Sequence, residues 1–455
     1  MHLGVLAYNP AVPPTSPKNS PASRATADRC PGALRLVEAA DGYLARVRLP
    51  GGFVTGEQLR ALADLAVELG DGRVELTSRG NVQLRALPAD AAEQLTAALT
   101  RAGLLPSLDH DRVRNVLASP LAGLDGLGSG RDLTAIVAAL DAGLCARPRL
   151  AELSGRFLFA IDDGRGDVAG LGADVVAVVG ADGAVVNGLA AHGVEVTGQE
   201  RAGGPVPDNG ADADDAAIIG LALNETVAAP SNADAASADV VAVMLAFAEA
   251  FLDESAAAGS AAWRIADLPG GAERVRATVA RRFGLAAGPE RSARVTATRP
   301  VGLVHCPVDA GGGVEPRSVT PADLDSAVLL APLGRLTAAQ VTWLAPRAAG
   351  RPARITPWRS VVLPGQPDAD QALREAAGLG FGVDESSPWL RVTACAGRPG
   401  CASALADVQA DAAGFAARWP GRIVHVSGCG RHCGRPAATE IDVTATSEGY
   451  SVADV

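Results

Sequence analysis

The sequence predicts a mixed fold of the α+β class, α/β in part, built around an internal duplication. Three observations predict it. Between residues 31 and 455, stretches with strand-like alternation trade places with stretches of helical spacing. One strand–helix–strand–turn–strand pattern occurs twice. Four of the seven cysteines fall within the last 61 residues, in two loop-like pairs.

Taken in chain order, residues 1–30 are rich in Pro, Ser and Ala without periodicity and read as a mobile tail. The first copy of the repeat occupies 31–100. Leu44–Pro50 alternates as a strand, and Thr55-Gly-Glu-Gln58 is a capping box ahead of a helix carrying Leu59, Leu62, Leu65 and Leu69. Val74–Ser78 and Val82–Leu87 are strands joined by a turn at Arg79-Gly-Asn81. An α/β domain follows over 108–290, with a polar insertion at 200–238. The second copy spans 298–366: strand Ala327–Pro332, capping box Thr337-Ala-Ala-Gln340, then Arg354–Arg359 and Ser360–Leu363. Each copy ends as strand, arginine-bearing turn, strand. Residues 367–455 form the cysteine-bearing domain.

Bulk properties set limits. A length of 455 residues suits about three units. A net charge of −11 without clustered basic residues argues against a nucleic-acid partner. Lys18 is the one lysine, so any other fixed cation must be arginine or histidine. The longest membrane-span candidate, Val240–Leu252, is short and contains Glu249. With no secretory signal and no membrane span, the expected location is cytoplasmic.

Cys395-Ala-Gly-Arg-Pro-Gly-Cys401 is followed after 27 residues by Cys429-Gly-Arg-His-Cys433. Between the pairs, Leu405, Val408, Ala412, Phe415 and Trp419 recur at helical spacing, and Arg422–Ser427 reads as a strand. Both pairs therefore sit on Gly-rich loops at element ends, where backbone amides can face thiolate and sulfide. Cys395, Cys401, Cys429 and Cys433 form the candidate ligand set of a 4Fe-4S cluster. Structural zinc is the competing reading, although it usually takes two to four residues between paired cysteines. Cys30, Cys145 and Cys306 are scattered.

Arginines form the second constellation. Arg79, Gln83 and Arg85 lie at alternate positions around a turn, so all three can share one side. Arg114-Asn115, Arg156 and Arg359 stand at comparable element ends. Guanidinium forks bind carboxylates bidentately, and a polycarboxylate calls for several. Taken singly, by composition alone, each reads better as a solvated surface arginine than as a ligand contact.

Thr77-Ser-Arg-Gly-Asn-Val-Gln83, Arg114-Asn-Val, Cys-x5-Cys and Cys-x3-Cys occur in the order of the nitrite and sulfite reductase superfamily, which the chain resembles over 31–455 outside the polar insertion. The resemblance implies two ferredoxin-like half domains plus domains that hold a 4Fe-4S cluster and a tetrapyrrole. It implies that Cys433 bridges the cluster to a sirohaem iron. It also implies two arginines and two lysines around an oxyanion; Arg79 and Arg114 match the arginines. Where the lysines stand, this chain has Ser154-Gly-Arg-Phe-Leu158, giving Arg156 and Leu158.

Leu158 supplies neither the proton nor the charge that oxyanion reduction needs. The branch that fits is that of the precorrin-3B synthases, monooxygenases of aerobic cobalamin biosynthesis. Cys30-Pro-Gly-Ala-Leu-Arg35, Phe157-Leu-Phe159 and Thr356-Pro-Trp-Arg359 resemble that branch. It implies Arg79, Arg114 and Arg156 as catalytic residues, with Gln83, Arg85, Asn115 and Arg359 on a tetrapyrrole substrate. It further implies dioxygen, a mononuclear non-haem iron beside the cluster, and an external electron donor, either a ferredoxin or an NAD(P)H-dependent reductase. Gly126-Leu-Gly-Ser-Gly130 is no dinucleotide fingerprint. His305, His425 and His432 are iron-ligand candidates by residue type. A sirohaem-dependent sulfite or nitrite reductase, and a non-catalytic tetrapyrrole or electron-transfer protein, are the alternatives.

Overall fold

The computed structural model describes residues 28, 30–180, 183–188, 218–222, 233–284, 287–291, 301–306, 324–436 and 438–455. The expected tail lies outside them apart from Asp28 and Cys30. So does most of the expected polar insertion, although a strand, Ile218–Ala222, falls within it.

The duplicated units form two five-stranded antiparallel sheets that exchange edge strands. One runs Val37–Ala39, Gly42–Val47, Val82–Leu87, Arg73–Leu76 and Arg335–Thr337; the other runs Gly302–Val304, Ser326–Leu330, Ser360–Leu363, Ala353–Ile355 and Phe53–Val54. The last strand of each comes from the other copy: Arg335 pairs with Glu75, and Val54 with Ala353. Both predicted capping boxes are present, at Thr55/Gln58 and Thr337/Gln340. The helices they start, Gly56–Leu69 and Ala338–Arg347, share one core with both sheets. Gly56 allows their close approach, since a Cβ there would lie 2.2 Å from the Ala345 carbonyl oxygen.

The duplication sharpens one match and corrects another. In the first copy, the Thr77 amide bonds the Asn81 carbonyl and Thr77 Oγ1 accepts from the Arg79 and Asn81 amides. In the second, Thr356 makes the same bonds with Ser360 and Trp358. The left-handed residues are Gly80 and Arg359, both at φ 63°. Arg359 therefore replaces Gly80, and the counterpart of Arg79 is Trp358. A non-glycine residue in this region costs about 1–2 kcal/mol.

The middle domain carries a six-stranded sheet, parallel through Val116–Ala118, Phe159–Asp162 and Val175–Gly180 and antiparallel beyond. Phe157, Phe159, Phe247 and Phe251 pack between it and its helices. The C-terminal domain has a four-stranded sheet, Val392–Ala394, Val424–Ser427, Ile441–Thr446 and Gly449–Asp454, and a helix, Val408–Arg418, that buries Val408 and Ala412. The helix Ala369–Gly378 belongs elsewhere. Ala376, with Phe381 just beyond it, joins the core of the duplicated unit, so the sequence-based boundary at 367 falls too early.

Gly52 has φ 74°, and a Cβ on it would stand 2.0 Å from the Ile355 carbonyl oxygen, beside the exchanged strand. Gly52→Ala is expected to destabilise the paired sheets by roughly 2 kcal/mol or more, read as a lower denaturation midpoint by circular dichroism.

Candidate functional site

The Thr77–Asn81 turn places Arg79 against the loop Ser154–Phe157, where its Nη1 donates to the Gly155 carbonyl at 3.4 Å. Two wholly buried amides fix this approach. Asn81 Oδ1 accepts from the Leu49 amide and its Nδ2 donates to Asn115 Oδ1. Asn115 Nδ2 faces the carbonyls of Arg112, Gly155 and Phe157. Asn115 thus serves as a brace, with its amide committed to the protein.

Around Arg79 lie guanidinium groups that the sequence reading passed over. Arg46 pairs across strands with Gln83, its Nη2 donating to Gln83 Oε1 at 3.1 Å. Arg48, two residues on, is 2% exposed. Its Nε and Nη2 donate to the carbonyls of Arg112 and Pro31. Arg46 Nε and Arg48 Nη1 are buried without a partner. Arg264 completes the group from the far side, held by Asp174 at 2.9 Å. Burial, then Arg46 and Arg79, pull the Arg48 pKa down to about 9. Burial, then Arg264, pull Arg79 to about 10. Cations crowded out of water in this way favour an anion among them. The signal was available: Arg46-Val-Arg48 alternates along a strand as Gln83 and Arg85 do.

The remaining candidates are placed differently. Arg156 is exposed, with its guanidinium 4.3 Å from the centroid of the Trp263 ring. Gln83 also donates to Glu75. Arg114 stands apart from the cluster: its fork closes on both oxygens of Asp141 at 2.7 Å and its Nη1 on the Leu104 carbonyl. Arg85 is likewise committed, to Asp41 and to the carbonyl of Gly400 in the first cysteine loop. Arg359 lines a different groove, with Trp358, Trp389 and Thr393. Leu158 is 2% exposed and packs with Leu117, Ala160 and Val176, so it brings neither charge nor proton to the arginines.

Cys395 follows the strand Val392–Ala394, and its Sγ accepts the Gly428 amide at 3.1 Å. The Cys401 amide closes on the Gly397 carbonyl, and the Leu405 amide ties this loop to Gly428 of the second. Glycine is required in both loops. A Cβ on Gly397 would lie 2.8 Å from Val408 Cγ2, and one on Gly428 would lie 2.7 Å from Ala404 Cβ. None of the four cysteines is in a disulfide; Cys433 is exposed and the others half-buried. The only group of three or more metal-ligating atoms within 4.8 Å among the described residues lies elsewhere, at Asp162, Asp163 and Asp167. Tetrahedral zinc with bonds of about 2.3 Å needs sulfurs about 3.8 Å apart. Wider loops with an amide aimed at sulfur fit a four-iron cluster better.

The three histidines do not share one site: His425 and His432 both adjoin Asp442, and His305 lies elsewhere. His305 is exposed beside Asp325. His432 Nδ1 lies 2.9 Å from Asp442. His425 is fully buried, with Nδ1 2.8 Å from Thr393 Oγ1 and its pKa pushed down by burial to about 4. The aspartate trio is satisfied internally. Asp162 accepts four backbone amides, Asp163 takes the Arg165 fork, and Asp167 takes the Ser119 hydroxyl.

Residues 37–102 match the nitrite/sulfite reductase ferredoxin-like half domain. Precorrin-3B synthase of a Sinorhizobium species is 26% identical over 430 residues, 93% of this chain and 82% of that protein. Ferredoxin–nitrite reductase of Synechococcus elongatus is 33% identical over 129 residues, 27% of this chain and only 25% of that protein. The structure of the Mycobacterium tuberculosis NirA protein superposes with a TM-score of 0.62 at 19% identity, over 90% of this chain and 73% of that one. The chain has the mixed fold of that structure, carries the half domain, and resembles precorrin-3B synthase along most of its length. No helix among the described residues is long and apolar enough to cross a membrane.

Two predictions follow from these sites. Cys433→Ser is expected to lose the visible absorbance of a four-iron cluster; full absorbance in that variant removes Cys433 from the ligand set. Burial, then Asp162, hold the Asp167 pKa up at about 8. A carboxyl raised above its unfolded value gives stability that is complete below about pH 4 and fades as pH rises through about 8. Asp167→Asn keeps an acceptor for Ser119, so its stability advantage over the parent should grow from pH 6 to pH 9 in urea titrations.

Proposed function

We propose that the chain is a precorrin-3B synthase: a monooxygenase that hydroxylates precorrin-3A at a meso carbon and closes a γ-lactone with a neighbouring acetate. The observation that carries this reading is the cluster of Arg46, Arg48, Arg79 and Arg264, with buried N–H groups left unpaired. Four guanidiniums in one place suit a ligand with several carboxylates far better than one small oxyanion.

In this reading, Arg48 and Arg79 grip propionate or acetate groups of the substrate. Arg46 is oriented by Gln83, and Arg264 closes the far side while braced by Asp174. Arg156 stacks on Trp263 at the rim, where it can meet an outer carboxylate. Asn115 and Arg114 position the loop and strand beneath without touching substrate. Cys395, Cys401, Cys429 and Cys433 would hold the 4Fe-4S cluster, and the Arg85–Gly400 contact fixes that loop to the cradle sheet. A bound non-haem iron would supply dioxygen activation. One oxygen atom enters the substrate and the other leaves as water, with two electrons from an external ferredoxin or NAD(P)H-dependent reductase and two protons from solvent. The protein is expected to work in the cytoplasm.

The second reading is a sirohaem-dependent sulfite or nitrite reductase, favoured by the half domain and the cysteine loops. Arg156 and Leu158 standing where that reading expects lysines weigh against it. Anaerobic purification followed by precorrin-3A, reductant and dioxygen separates the two: conversion to the lactone supports the first, whereas a strong sirohaem Soret band with sulfite turnover overturns it. A cluster-only spectrum without conversion points to a non-catalytic module. Charge-assisted bonds contribute about 1.5–3 kcal/mol each. Arg48→Gln should therefore raise KM for precorrin-3A roughly 10- to 100-fold, measured by steady-state lactone formation.

A further inference from the structure

Asp28 and the segment Cys30–Leu34 are held against the arginine cluster by two carboxylates. Asp28 Oδ2 accepts from the Gly155 amide at 2.7 Å, from Ser154 Oγ at 3.1 Å and from Arg112 Nη1 at 3.1 Å; its Oδ1 takes the Cys30 amide. Asp111 Oδ2 accepts the amides of Ala33 and Leu34. Gly32 lies so close that a Cβ on it would stand 2.1 Å from Asp111 Oδ2.

Between these clamps the strap turns Cys30 inward. A Cβ on Gly155 would lie 2.7 Å from Cys30 Cβ, and Gly155 is the residue whose carbonyl holds Arg79. The Cys30 sulfur also sits within electrostatic reach of Arg46, Arg48, Arg79 and Arg156. Arg48, almost wholly buried, keeps Nη1 unpaired at the same place. Burial and then Asp28 push the thiol pKa up, so Cys30 stays neutral at physiological pH. A neutral side chain leaves the guanidinium charge uncompensated. Asp28, which could have quenched it, spends both oxygens on the strap and on Arg112.

We infer that Cys30, positioned by Asp28, is a contact residue for the tetrapyrrole, meeting its apolar edge while the surrounding arginines take its carboxylates. This rests on the functional reading above and adds a residue to the same site. Its role is contact and fit, with no covalent step.

The test uses the cluster-loaded full chain under anaerobic conditions, where precorrin-3A can bind without turnover. Binding is read from co-elution of its absorbance, and iodoacetamide labelling of Cys30, Cys145 and Cys306 from peptide mass spectrometry. Bound precorrin-3A is expected to slow labelling of Cys30 at least tenfold and to leave Cys145 and Cys306 unchanged. Binding without protection of Cys30 overturns this inference and leaves the function intact; absence of binding overturns the function and the inference with it. Cys30→Phe supplies a second arm that does not depend on thiol reactivity. It should weaken precorrin-3A binding at least tenfold with cluster absorbance retained, while Cys30→Ser stays within about threefold of the parent. Parental affinity in Cys30→Phe removes Cys30 from the site.

Discussion

The exchange of edge strands between the duplicated units is the constraint on which the rest of the structure depends. Neither sheet is complete without Phe53–Val54 or Arg335–Thr337 from the other copy. An unpaired edge leaves backbone donors and acceptors open, so each copy closes its sheet by lending a strand. The exchange fixes the two threonine-capped turns relative to one another. One turn then carries Arg79 to the middle domain, and the other carries Trp358 and Arg359 to the C-terminal domain.

Within that frame the arginine cluster is held against its own repulsion. After burial, Arg46 and Arg79 weaken the hold of Arg48 on its proton, Arg264 and Arg46 do the same to Arg79, and Arg46 and Arg48 keep N–H groups buried and unmatched. Such an arrangement is costly in the free protein. It persists because the backbone around it is over-determined: Asn81 and Asn115 lock three segments together, and Asp28 and Asp111 fasten a fourth. In the proposed function, the free energy released when carboxylates enter goes into ligand affinity.

Much of this was legible in the sequence, and what was not has a physical reason. The capping boxes and helical spacings are local signals, read within a few residues, and the structure shows them where expected. The cysteine loops were legible because Gly and Cys spacing is itself the motif. The partners of Arg114 and Arg85 were not, because Asp141, Asp41 and the Gly400 carbonyl are brought in by the fold from 27, 44 and 315 positions away. Pairing arginines by repeat also slipped by one residue, since a left-handed position normally marks glycine and Arg359 occupies it instead. Lacking any view of depth, the reading set Leu158 against a lysine without seeing that its side chain is buried among Leu117, Ala160 and Val176.

Strand exchange has a consequence for how the chain is made. Arg335 pairs with Glu75, 260 positions earlier in the chain. At ribosomal rates of about 5–20 residues per second, the first sheet waits roughly 13–50 s for its last strand. Throughout that interval the Arg73–Leu76 edge is exposed on a nascent chain, carrying Arg73 and Glu75 at alternate positions among its apolar residues. Charged side chains on a waiting edge discourage pairing with strands of other chains. The same two residues therefore serve the finished sheet and guard the unfinished one during synthesis.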